Sequence, residues 1–218
     1  MKHYLILLTN CVIILSCFCC TKGNNSEIKI DLSIKSEVEK HISNSSFALF
    51  SEKNSTAYYN EIDAELYLGN SDSPRILLSD TTDVLFKSFF YPKNDTIIIW
   101  GGYELGSQFG FIIKIIKDQF QVYHLVADET PRYSLIENGN WGYHVEVPCL
   151  ESKVILSQKP SLESNEIIYG FIEFKSMDYY FIYNAREDPN GNKMEAHKGK
   201  SNMKIYFKSI PFNYQERE

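Results

Sequence analysis

Along most of this chain apolar and polar residues alternate with a period of two, and turn-forming clusters punctuate the alternation every ten residues or so. The first such run is "IKIDLSI" (28–34), which places Ile28, Ile30, Leu32 and Ile34 on one face and predicts a half-buried strand. "SEVEKHI" (36–42) breaks the pattern. Ser36 and Glu39 have capping-box spacing and Val38 and Ile42 lie four apart, which predicts one or two helical turns. From there strands succeed one another: "FALF" (47–50), "AELYL" (64–68), "RILLS" (75–79), "VLFKSFFY" (84–91) and "TIIIWG" (96–101). "FGFIIKII" (109–116) and "FQVYHLV" (120–126) flank "KDQ", which predicts a tight hairpin. "WGYHVEV" (141–147), "KVILS" (153–157), "EIIYGFIEF" (166–174), "DYYFIY" (178–183) and "MKIYFKSI" (203–210) complete the series. The polar stretch 184–202, with Pro189, Gly191 and Gly199 as breakers, predicts a long loop.

No segment has the length and periodicity of a long amphipathic helix, so a βαβ architecture is not expected. No internal repeat at a propeller or solenoid period is found. The fold class expected is all-β: a single antiparallel β-sandwich or β-barrel of about a dozen short strands over residues 28–218, with at most one short N-terminal helix.

Composition sharpens this picture. Tyr (15) and Phe (14) are abundant, and aromatic side chains pack well on pleated, half-buried faces. The net charge of −6 argues against a nucleic-acid partner, which needs a basic face; the densest basic run, "KGKSNMK" (198–204), reads as a solvated loop and strand start. Removal of a leader carrying Lys2 would make the balance more negative still.

The beginning of the chain reads differently from the rest. "MKHYLILLTNCVIILSCFCC" has a basic start and an apolar run from Tyr4 to Ile14 that is shorter than the roughly 20 residues needed to span a bilayer. "ILSC" (14–17) resembles the lipobox of bacterial lipoproteins, with an aliphatic residue, a small residue and then the acceptor cysteine. The resemblance implies a signal peptide over 1–16, cleavage before Cys17, acylation of that cysteine with palmitate-type chains, and a polar tether over 17–27. Cys20, with "TKGNN" after it, is the alternative acceptor. Several acyl chains anchor durably, since each buried methylene contributes about 0.8 kcal/mol. Lipoproteins of this kind keep Asp after the acceptor when they stay at the inner membrane. Phe18 stands there instead, so the expected address is the cell envelope, at the outer membrane of a Gram-negative bacterium.

Chemistry is sparse in the rest of the chain. A structural zinc needs four ligands in paired spacings; Cys17 and Cys20 have the gap, but beyond their cluster Cys149 is the sole cysteine after the leader, so no metal and no cofactor are expected. Cys149 reads as a buried, inert thiol. His144 and Glu146 fall on one strand face and read as exposed, opposite inward Tyr143, Val145 and Val147. His124 shares the face of Phe120, Val122 and Val126, which predicts a hydrogen-bonded, partly buried imidazole rather than a base working with Asp128 or Glu129. "GGYELG" (101–106) comes after a strand with no helix behind it and fails as a phosphate loop. Nucleophile-elbow and zinc-protease motifs do not occur. Four aromatics flank turns and are the candidate ligand-stacking residues: Trp100, Tyr103, Trp141 and Tyr143. The expected function is therefore a lipid-anchored envelope protein whose non-enzymatic domain binds a protein, peptide or glycan partner. The alternatives are a carbohydrate-active or other hydrolase with carboxylates that meet only in three dimensions, and a lipocalin-like carrier of an apolar ligand.

Overall fold

The structure, a computed structural model, describes residues 28–44, 58–59, 61–68, 76–78, 86–105, 107–117, 119–137, 139–161, 163, 166–182 and 196–212. Cys17, Cys20, the whole leader and tether, and the expected strand at 47–50 lie outside the described residues.

The described chain opens with β1 (Ile28–Ile30) and α1 (Ile34–Asn44). The expected strand over 28–34 therefore stops after three residues. Asp31 ends it: its carboxylate accepts from the backbone N–H and hydroxyl of Ser33 at 3.0 and 2.6 Å, turning the chain into the helix. The Lys29 ammonium at 2.7 Å, together with Ser33, holds the Asp31 carboxyl well below the usual carboxylate range. Ile34 and Val38, four apart, then bury one helix face against Ile155, Phe171, Tyr169 and Tyr206.

The remaining elements are strands: β2 (Tyr58–Tyr59), β3 (Glu61–Leu68), β4 (Ile76–Leu78), β5 (Phe86–Lys93), β6 (Thr96–Leu105), β7 (Ser107–Ile116), β8 (Gln119–Asp128), β9 (Tyr133–Ser134), β10 (His144–Leu156), β11 (Ile168–Ser176), β12 (Tyr179–Ile182) and β13 (Ala196–Pro211). Strands β5 to β8 form an antiparallel meander. Its turns are tight. Asn94 adopts φ 54° between β5 and β6, and Lys117 adopts φ 57° in the hairpin expected at 117–119. β13 begins seven residues earlier than expected and claims the end of the expected loop; residues 183–195 lie outside the described residues.

The expectation of a clean antiparallel sandwich or barrel is corrected. Among the described residues all thirteen strands join in one sheet, ten of them along the path β2-β5-β6-β7-β8-β10-β11-β13-β12-β9, and the pairing is mixed. β1 runs parallel to β10, and β13 runs parallel to β5 at Ile210–Phe89 and Pro211–Phe90. Two long strands cause this. β10 pairs with β8 through 144–148, then with β11 from Cys149 onward, with a register irregularity between Cys149 and Glu151. Pro148, which has no N–H to donate, stands where β10 leaves β8. β13 in turn serves β12, β3, β11 and β5 along its length.

The sheet thus doubles over itself, and its inner faces share one core. Ile99, Phe111, Ile113 and Val122 from the meander meet Leu156, Ile172, Phe174, Met203, Ile205 and Phe207 from the other half. Phe111 and Phe207 touch across the middle, ring centroids 5.1 Å apart. Among the described residues no helix is long and apolar enough to cross a membrane.

Candidate functional site

Three places hold concentrated chemistry. The first is inside. His124, inward-facing on β8, is completely buried, so the expectation of a partly buried imidazole understates it. Its Nδ1 lies 2.9 Å from the Gly110 carbonyl oxygen, and a carbonyl only accepts, so Nδ1 carries the hydrogen. Nε2 then accepts from the hydroxyl of Ser201 at 3.0 Å. The Ser201 backbone N–H donates to Ser176 Oγ at 2.8 Å, and the Ser176 hydroxyl donates to the Met177 carbonyl at 2.8 Å. Burial lowers the imidazole to about 4, so it is neutral at pH 7. A serine hydroxyl against a histidine resembles a nucleophile–base pair. Here, however, both groups are fully buried, and the position beyond Nδ1 is a neutral carbonyl rather than a carboxylate that would support an imidazolium. Cys149 stands close by; burial pushes its thiol up to about 12, which agrees with an inert cysteine.

The second place is the outer face of the meander. Phe89 and Trp100, on neighbouring strands, stack with centroids 4.8 Å apart and planes 20° from parallel. Phe212, just past β13, stands with its ring centroid 5.0 Å from that of Phe89 and 6.5 Å from that of Tyr91. Further along, the Lys114 ammonium sits 4.6 Å from the Tyr123 ring centroid and pairs with Glu146. Glu146 is thereby taken up in an ion pair, while His144 beside it is exposed, as expected.

The third is a concavity of about 500 Å³ on the outer face of the other half. Its rim is formed by Glu151 and Lys153 of β10, Glu173 and Lys175 of β11, and Asn202 and Lys204 of β13. Alternation puts these side chains outward, because Val154, Ile172, Phe174, Met203 and Ile205 between them are in the core. Opposite charges meet across strands: Glu151 with Lys175 at 2.9 Å and Glu173 with Lys204 at 3.4 Å. The Lys153 ammonium lies over the Phe171 ring, 5.7 Å from its centroid. Helix α1 covers the other end of this same face, so the groove begins where the helix stops covering the sheet.

Of the candidate stacking aromatics, the described side chains of Trp100, Trp141 and Tyr143 lie in different places. Trp100 belongs to the aromatic stack of the meander's outer face. Tyr103 pairs with Phe109 of β7, and its side chain lies outside the described residues. Trp141 is half-buried before β10. Tyr143, expected to point inward, is 60% exposed because β10 starts only at His144, so strand alternation does not reach it. The Tyr143 carbonyl bonds the Asp128 N–H, five residues along β8 from Tyr123, which is in line with Trp100. That separates Trp100 from Tyr143 by roughly 16 Å along the strands. Asp128, considered as a partner for His124, instead pairs with Arg132 at 3.4 Å and caps Thr130. Gly101 of "GGYELG" serves packing: the Phe111 ring covers it. Ser201 and Ser176 were missed by sequence reasoning. Their signal was present, since Ser201 holds the inward phase of the alternation Ser201, Met203, Ile205, Phe207.

No family model, no curated protein sequence and no solved structure matches this chain.

Proposed function

We propose that the chain is a lipid-anchored protein of the cell envelope whose β domain is a binding module for a polar partner, an envelope protein, peptide or glycan. The observation that carries the binding reading is the groove on the outer face of β10, β11 and β13, a concavity on a rigid sheet with Lys and Glu alternating around it. Rim charges of this kind steer and orient a partner more than they hold it. The space between the two halves of the sheet is taken up by Phe111, Phe174, Phe207 and their neighbours, which favours recognition at the surface over carriage of an apolar ligand inside. The anchor rests on "ILSC" and its acceptor Cys17, with Cys20 as the alternative, and the outer-membrane address rests on Phe18.

Two experiments test this. Metabolic labelling with a fatty-acid analogue should mark the wild-type chain and its membrane fraction, and Cys17→Ala should abolish both. Label retained in Cys17→Ala but lost in Cys20→Ala moves the acceptor to Cys20, and label retained in the double variant rejects the anchor. For binding, crosslinking in the native envelope should yield a partner adduct that the charge reversals Lys153→Glu and Lys204→Glu remove together. An adduct unchanged by that pair of reversals places recognition elsewhere and rejects the groove.

A further inference from the structure

We propose that His124 is an acid-sensitive latch: its protonation loosens the branch point at Ser201 that holds β12 and β9 onto the rest of the sheet. Neither the anchor nor the groove bears on this latch.

The geometry of β13 carries it. On one side β13 pairs with β12 through residues 196–199 and with β11 through 202–209. Ser201 falls between the two partners. Its N–H meets no strand carbonyl there and is taken by Ser176 Oγ, at the corner where β11 turns through Met177 and Asp178 into β12. A buried N–H without a partner would be costly, so this side-chain bond substitutes for a missing ladder rung. The Ser201 hydroxyl in turn bonds His124, which bonds Gly110 of β7. One chain of hydrogen bonds therefore runs from the meander through the core to the β11–β12 corner.

Protonation strikes this chain at a defined atom. In the neutral state Ser201 O–H donates to Nε2. An imidazolium carries hydrogen on both nitrogens, so Nε2–H must donate to Ser201 Oγ, and the serine hydrogen must leave that line. The charge would also stand in an apolar cage. Phe109 of β7 lies 4.5 Å from the imidazole centroid, and Phe174 of β11 and Tyr179 of β12 lie 5.8 Å from it. Of the titratable groups, the Tyr179 ring lies 5.8 Å from the imidazole and the Cys149 thiol of β10 bonds the His124 backbone; among the described residues, burial and the Gly110 carbonyl alone set the imidazole's proton affinity. Tyr179 also packs over Gly199 and meets Tyr133 of β9, ring centroids 6.4 Å apart, so the cage and the β9–β12 edge share a side chain.

The two proton affinities set the direction with pH. The folded imidazole, at about 4, binds its proton less readily than the unfolded one at 6.5. The stabilisation from burying it neutral is complete above 6.5 and is lost as pH falls through 4. Between those values one extra proton is bound on opening, so the opening constant rises up to tenfold per pH unit.

The test uses the full domain. Amide exchange of Tyr179–Ile182, corrected for the intrinsic effect of pH, should show protection falling between pH 6 and pH 4.5 while the β7–β8 pairing around Ile113 stays protected. Nuclear magnetic resonance of the His124 ring protons should show them resisting titration as the pH falls through 6.5. His124→Gln should flatten the pH dependence at β12. If that variant does not fold, the wild-type exchange and ring titration decide alone. A folded-state titration of His124 near 6.5, uniform loss of protection across both halves, or an unchanged β12 profile in His124→Gln would each overturn the latch.

Discussion

Gly101 and Gly170 fix how closely the two inner faces approach. A Cβ on Gly101 would stand 2.4 Å from the Phe111 ring, and one on Gly170 would stand 2.3 Å from the Phe207 ring. Each glycine is the cross-strand partner of the phenylalanine that covers it, and the two phenylalanines meet at the centre of the core. A ring can lie flat over bare backbone only where the facing residue has no side chain. Gly170→Ala forces Phe207 off its position and should cost about 1–3 kcal/mol, read as a lower urea midpoint with an unchanged slope. Ser209 presents the opposite case. Its hydroxyl is buried without a hydrogen-bond partner among the described residues, so Ser209→Ala should raise the midpoint, by up to about 1 kcal/mol. A lowered midpoint would mean the hydroxyl is satisfied. Neither role could be read in one dimension. The glycines of "GGYELG" read in sequence only as a failed phosphate loop, because the ring that needs Gly101 arrives ten residues later, on another strand.

At the scale of elements, strict alternation was a reliable guide wherever one face met the core. "FGFIIKII" and "FQVYHLV" became β7 and β8 with their inward residues in the expected phase. It misled at "IKIDLSI". Ile34 and Val38 are four apart and serve a helix as readily as Ile34 serves a strand, and local bonds at Asp31 decided between them. β13 was missed at its start because Lys198, Gly199 and Lys200 look like loop, although Gly199 is there to admit the Tyr179 ring. The parallel contact of β13 with β5 is a short join, two residue pairs long. There the Phe212–Phe89–Trp100 stack lies across the seam, and the Phe212 N–H bonds the Phe90 carbonyl at 2.8 Å. Trp100 is part of this closure. Phe212→Ala should cost about 1–2 kcal/mol, with faster exchange concentrated at the β5–β13 contact and Trp100 fluorescence shifted toward that of a wetter indole. Equal exchange changes at β9 and β12 would show that the stack does not act on the seam.

For the molecule as a whole, the decisive fact is that β10 and β13 belong to both halves. A sandwich of two independent sheets can in principle lose one and keep the other; here, pulling the meander away strips β10 of β8 and β13 of β5 within the same strands. The core is likewise shared, since Phe111, Phe174 and Phe207 have no other surface to bury against. That connectivity was not legible in the sequence. Local periodicity reports which face of a strand is buried, whereas the exchange of partners along β10 depends on where a distant strand ends. Pro148 was the one local hint. The consequence is cooperative unfolding at neutral pH, where the latch is closed. Trp100 and Trp141 report respectively on the meander and on the approach to β10. Their fluorescence, the far-ultraviolet circular dichroism of all strands, and the amide exchange of β11 should share a single denaturant midpoint. A meander that melts at a lower denaturant concentration than β11 would mean that β10 and β13 can be severed midway, and that the two halves are joined only by chain rather than by a common core.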